Sequence, residues 1–136
     1  NDPADTALVE STRRALAAGI AAAVPGNHLG DISAAIGVVA AADGYAVNTD
    51  FGGHGIGSTM HQDPHVLNYG RPGRGPKLVP GLVLAIEPML ILGGEYDSYV
   101  LGDGWTVVSA DRMPASHWEH TVAATADGPR ILTPRY

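Results

Sequence analysis

Pro80-Gly81-Leu82-Val83-Leu84-Ala85-Ile86-Glu87-Pro88 sets an unbroken apolar run between a turn signal and a carboxylate. Five apolar residues without alternation suit a strand covered on both faces, because a strand with one wet face would alternate. Glu87-Pro88 closes the run. A carboxylate at the end of a buried strand is costly unless something cationic compensates it. Lys77, the nearest cation before it, lies across the turn. Two readings of Glu87 therefore stand: a ligand to a metal cation, or a strand-end carboxylate that is solvated or paired with an arginine.

Moving toward the N-terminus, residues 69–80 are rich in Gly, Pro and basic residues and read as a loop. Before them stands Gly53-His54-Gly55-Ile56-Gly57, followed by Ser58-Thr59-Met60-His61-Gln62-Asp63-Pro64. Glycines around a histidine let backbone approach a ligand closely while the imidazole faces it. A hydrogen-bonding turn histidine is the other reading of His54. Residues 45–50 are expected to form a short strand, and the glycine-crowded segment to take unusual backbone angles. Further back, Leu8, Val9, Thr12, Ala15, Leu16, Ile20 and Val24 recur at helical spacing, predicting an amphipathic helix over 5–23 that Pro25-Gly26 ends. Ile32, Ala35, Ile36 and Val39 mark a second helix over 29–42, stopped by Asp43-Gly44.

Toward the C-terminus, residues 105–109 and 120–124 read as strands. Gly102-Asp103-Gly104 precedes the first and Asp127-Gly128-Pro129 follows the second. Residues 131–133 are expected to add a pairing segment, and Asp111-Arg112 a turn salt bridge. Glu119 stands where the second strand begins, and a period of two turns it to the face opposite His120. His28 and His65 read as solvated turn residues. The order helix, helix, several strands predicts an α+β fold of one domain over 1–136, its two N-terminal helices packed on a mainly antiparallel sheet.

The 136 residues carry 8 Lys+Arg against 14 Asp+Glu, a formal charge of -6, which argues against nucleic acid as a partner. With no cysteine, any metal must be held by imidazole and carboxylate. The longest apolar stretch, 15–24, falls short of the roughly 20 residues that a membrane-spanning helix needs. No membrane partner and a cytoplasmic location are the expectations. His54, Glu87 and Glu119 together offer one imidazole and two carboxylates, a set suited to manganese, iron, cobalt or zinc.

Four motifs in order resemble the type I methionine aminopeptidases. They are Gly53-His54-Gly55-Ile56-Gly57 with His61 and Pro64; Pro80-Gly81 leading to Ile86-Glu87-Pro88-Met89; Asp103-Gly104-Trp105-Thr106; and Glu119-His120-Thr121. The likeness covers nearly the whole chain. Met89 and the Trp105 motif favour it over prolidases and Xaa-Pro aminopeptidases. The short path from His61 to Glu87 leaves no room for the helical insert of the type II enzymes.

The resemblance implies a metallo-aminopeptidase that removes N-terminal methionine from nascent peptides. In it His54, Glu87 and Glu119 are metal ligands, and Glu87 also serves as general base. His61 acts beside it on the scissile amide, and Met60 and Trp105 touch the substrate's methionine side chain. The family's pita-bread fold consists of two similar α+β halves with the metal site between them, and the likeness is to the C-terminal half. Two metal-binding aspartates and a further histidine belong to the family's preceding region and have no counterpart here. The expectation is thus an incomplete site, holding at most one ion, in a chain that pairs with the missing N-terminal half or with a second copy of itself. Met60, where the family often has an aromatic residue, and Ser58, where arginine is frequent, depart from the pattern. The alternative expectation is a catalytically silent module that binds peptides or proteins.

Overall fold

The structure, a computed structural model, describes residues 2–134. It opens with α1 (Pro3–Ala22) and α2 (Leu29–Asp43). Asp2 caps α1, its Oδ1 accepting from the Ala4 amide at 2.9 Å, and Pro3 fits the first turn, where no amide partner is needed. The buried stripe of α1 runs through Leu8, Ser11, Thr12, Ala15, Leu16 and Gly19. Val9, expected on that stripe, is 44% exposed because it follows Leu8 around the helix toward solvent. Gly19 lets the helices close: a Cβ there would stand 2.9 Å from Ile36 Cγ1. His28 caps α2 from outside its first turn, its amide donating to Asp31 Oδ2 at 2.6 Å, and Gly44 ends the helix in the left-handed conformation at φ 79°. No described helix is long and apolar enough to cross a membrane.

Among the described residues ten strands follow: β1 (Ala46–Val47), β2 (Gly53–Gly55), β3 (Gln62–Val66), β4 (Val83–Ile86), β5 (Met89–Ile91), β6 (Ser98–Val100), β7 (Val107–Ser109), β8 (Ala115–His117), β9 (His120–Thr125) and β10 (Gly128–Ile131). They form sheets in the orders β10-β9-β4-β2-β3, β1-β5-β8 and β6-β7. Every pairing between these strands is antiparallel, as the α+β expectation required.

The apolar run near position 84 becomes β4, the central strand of the largest sheet, and Ala85 and Ile86 are fully buried. Its alternation sorts the faces. Leu84 and Ile86 join Leu8, Leu16, Ile32, Ile36 and Val122 in the core beneath the helices. Ala85 and the residue after the strand, Glu87, therefore turn to the other face. The same parity puts Val122 of β9 in the core and Thr121 opposite.

Several boundaries differ from expectation for local reasons. The strand expected over 45–50 shrinks to β1, because Asn48 Oδ1 accepts from the amides of Asp50 and Phe51 and bends the chain. Asp103 Oδ1 likewise accepts from the Trp105 and Thr106 amides, so β7 begins only at Val107. The last pairing segment lies over Gly128–Ile131 rather than 131–133, since Thr125 pairs with Gly128 and leaves only Ala126-Asp127 in the turn. The glycine-crowded segment, expected to be irregular, supplies β2, which pairs with both β3 and β4. Asp111 and Arg112 form no ion pair: Asp111 Oδ1 accepts from the Met113 amide, and Arg112 Nε donates to the Tyr99 hydroxyl.

Candidate metal centre

On the face of the large sheet away from the helices, three strands bring one row into register. His54 of β2 stands opposite Ala85 of β4, and Ala85 opposite Thr121 of β9. The small Ala85 side chain leaves room in the middle of that row. Glycine is required beside His54, because a Cβ on Gly53 would run into the Ala85 carbonyl oxygen. The paired strands thus hold the imidazole over the sheet.

The row opens into a cleft of about 530 Å³ lined by His54, Met60, His61, Glu87, Glu119 and Thr121, with the backbone around Gly57. Three residues drawn from distant parts of the chain, His54, Glu87 and Glu119, therefore reach one cavity. His61 stands beside His54 with ring centroids 4.3 Å apart, and Met60 is 71% exposed at the rim. Trp105 is not brought there: it is 87% exposed in the turn before β7 and does not line this cleft. His28 caps α2. His65 lies on β3 rather than in a turn, exposed as expected, and outside the cleft. His120 faces the helix side, beside Leu16 and Ile20, where its Nδ1 meets Thr133 Oγ1 at 3.0 Å.

Glu87 is only 9% exposed, and its carboxylate lies between two imidazoles. His54 Nε2 is 3.4 Å from Oε1 and His117 Nε2 is 3.3 Å from Oε2. No Lys or Arg comes within ion-pair distance of Glu87 among the described residues. The arginine-paired reading of Glu87 is thereby removed. Behind it, the fully buried Asn68 donates from Nδ2 to the Glu87 carbonyl at 3.0 Å.

The protons test whether a cation fits. His54 Nδ1 is 3.0 Å from the Gly55 carbonyl oxygen, which can only accept, so Nδ1 carries the hydrogen. In the neutral imidazole that leaves the Nε2 lone pair aimed at a carboxylate oxygen. Two acceptors face each other across 3.4 Å, an arrangement that a cation between them relieves. The donor chemistry, imidazole plus carboxylate with no thiolate, suits a divalent ion of the first transition row.

His117 was not singled out among the candidate ligands from the sequence. It ends β8, and Glu119 follows two residues later; one donor atom each from Glu87, His117 and Glu119 lie within 4.8 Å of one another. The signal was the i, i+2 spacing of His117 and Glu119, which on extended chain sets both on one side. The hydrogen bond to Glu87 raises the pKa of His117 above its ordinary value. Burial opposes that, and the charges of Glu87 and Glu119 add to it.

Comparison with known proteins gives likeness along nearly the whole chain. The model of metallopeptidase family M24 matches residues 1–126. Methionine aminopeptidase 1 of Mycobacterium tuberculosis is 56% identical over 136 residues, covering 96% of this chain and 51% of the relative. The methionine aminopeptidase of Clostridium perfringens is 51% identical over 126 residues, covering 93% and 50%. In structure, the crystallised methionine aminopeptidase of Thermotoga maritima superposes with a TM-score of 0.95 at 41% identity, over 99% of this chain and 54% of that one. The expected half of a pita-bread fold is borne out, and the chain spans about half the length of the curated relatives it matches.

Proposed function

The chain belongs to metallopeptidase family M24, and from that premise we propose that it is one half of a methionine aminopeptidase, a hydrolase acting on nascent peptides that begin with methionine. One observation carries the reading: His54, Glu87 and Glu119 share a single cleft on the face away from the helices.

In this reading His54, Glu87 and Glu119 hold a divalent ion, cobalt, manganese, iron or zinc. When bound, the ion supplies Lewis acidity toward a peptide carbonyl and toward water. The chain's own residues do the rest. Glu87, largely shielded from solvent and aligned between two imidazoles, takes the proton released as water attacks and passes it to the departing amine. His61, beside His54 at the open side of the cleft, donates to the scissile amide. Met60 at the rim contacts the methionine side chain of the substrate. Trp105 has no part in these contacts in the chain by itself, because it lies outside the cleft. Nascent peptides as substrate place the activity in the cytoplasm.

The proposal includes a division of labour. Two aspartate ligands come from the half of the relatives that this chain does not match. Release of methionine from a Met-Gly-Met-Met peptide tests it. The chain with manganese alone is expected to give no turnover, and turnover is expected once the unmatched half of the Mycobacterium tuberculosis relative is added in trans. Glu87→Gln should abolish the complemented activity. Turnover by the chain alone would refute the division of labour; inactivity of the complemented pair would favour the silent binding module.

A further inference from the structure

We propose that His117 is itself a ligand of the divalent ion, joining His54, Glu87 and Glu119 from the Oε2 side of Glu87. The inference rests on reading the cleft as a metal centre and adds a donor to it.

The geometry on the two sides of Glu87 is nearly the same. His54 Nε2 to Oε1 is 3.4 Å, and His117 Nε2 to Oε2 is 3.3 Å. Two ligands of one ion with bonds of about 2.0–2.1 Å stand about 3.3–3.4 Å apart at a tetrahedral angle. Both imidazoles therefore already keep the spacing of co-ligands to the carboxylate.

Glu119 completes the set on the His117 side, its donor falling within 4.8 Å of both others. Ligands at a tetrahedral angle stand about 3.3–3.4 Å apart, so the three donors close on an ion once their widest separation, at most 4.8 Å, narrows by up to about 1.5 Å. The side chains are free to make it, because Glu119 is exposed and the His117 side chain is 47% exposed. Backbone placement favours it as well: His117 ends β8, Glu119 precedes β9, and residues two apart on extended chain point to one side. Two carboxylates with neutral imidazoles form a neutral complex with a divalent ion, whereas without a cation the two carboxylates repel each other.

The competing account is that His117, as imidazolium, only donates a hydrogen bond to Glu87. His117→Asn separates the two, since the amide keeps a donor toward Glu87 and is a poor metal ligand. The 136-residue chain is titrated with Co²⁺ by calorimetry and by visible absorption, with folding followed by circular dichroism. His117→Asn and His117→Ala are each expected to weaken Co²⁺ binding at least tenfold and to alter the visible band. If His117→Asn keeps the affinity and the band while Glu87→Gln loses both, His117 is a pairing residue and the inference is overturned. If Co²⁺ fails to bind, or binds regardless of Glu87→Gln, the metal-centre reading falls with it.

Discussion

At the scale of single residues, the centre depends on how firmly Glu87 is held. Its carbonyl accepts from Asn68 Nδ2, and Asn68 is fully buried with its Oδ1 lacking a hydrogen-bond partner among the described residues. Asn68→Ala removes a donor from a buried carbonyl and leaves a small cavity. Together these should cost about 2–3 kcal/mol of stability, read as a lower urea midpoint by circular dichroism. Co²⁺ affinity should fall in the same variant, because the peptide that carries Glu87 is freed. An unchanged midpoint would show that the carbonyl finds another donor. Asn68 had no mark in the sequence, since nothing in Leu67-Asn68-Tyr69 signals a buried amide. His54, Glu87 and Glu119 were legible because each breaks a local pattern: a histidine among glycines, a carboxylate ending an apolar run, and an acid where a strand begins. Trp105 stands apart from these. The motif around it is plain in the sequence, but Asp103 folds that motif into an exposed turn.

At the scale of elements, the helix hairpin that underlies the sheet is tied at its end. Ser11 Oγ of α1 donates to Asp43 Oδ2 at 2.5 Å, and Arg14 reaches the same oxygen. Asp43 is the last residue of α2, where the helix dipole disfavours a negative charge by a few tenths to about 1 kcal/mol; the two donors offset that penalty. The Ser11 hydroxyl first, and the Arg14 charge with it, hold the Asp43 pKa below 3.8. A lowered carboxylate pKa stabilises the fold above the unfolded value, and that stability is lost as pH falls through the folded one. Ser11→Ala is therefore expected to cost about 1 kcal/mol at pH 7, with the difference shrinking once the solution is more acid than the unfolded pKa of Asp43. Urea titrations at neutral and strongly acid pH check this, and an equal difference at both would remove the clasp as its cause. The two helices were legible from their periodicity over 20 and 15 residues. β5, β6 and β8, three residues each, were not, because a stretch that short carries no period to read. Their pairings come from tertiary register: Met89 meets His117 only once β4 and β9 are in place.

At the scale of the whole molecule, the hairpin β6-β7 forms a two-stranded sheet hydrogen-bonded to no other strand among the described residues. Such a hairpin is marginal in water unless an apolar face packs against something. Here Trp105 is 87% exposed, Val100 51% and Val107 44%, a concentration of open apolar surface that marks an interaction face. The chain spans about half the length of its relatives, so a segment of matching size is the natural occupant. Adding the unmatched half of the Mycobacterium tuberculosis relative should give a one-to-one complex in sedimentation. It should also shift tryptophan emission to the blue as Trp105 leaves water. Trp118 is already half-buried beside α1, so Trp105→Phe should abolish the shift while the complex still forms. A shift that survives Trp105→Phe places the contact away from the hairpin. A chain that sediments as a dimer without any addition makes a second copy the occupant. If the chain stays monomeric at micromolar concentration with the other half present, the two halves do not assemble. The further ligands proposed from the unmatched half would then have no route to Glu87, and a catalytic reading of the cleft would lose its physical basis.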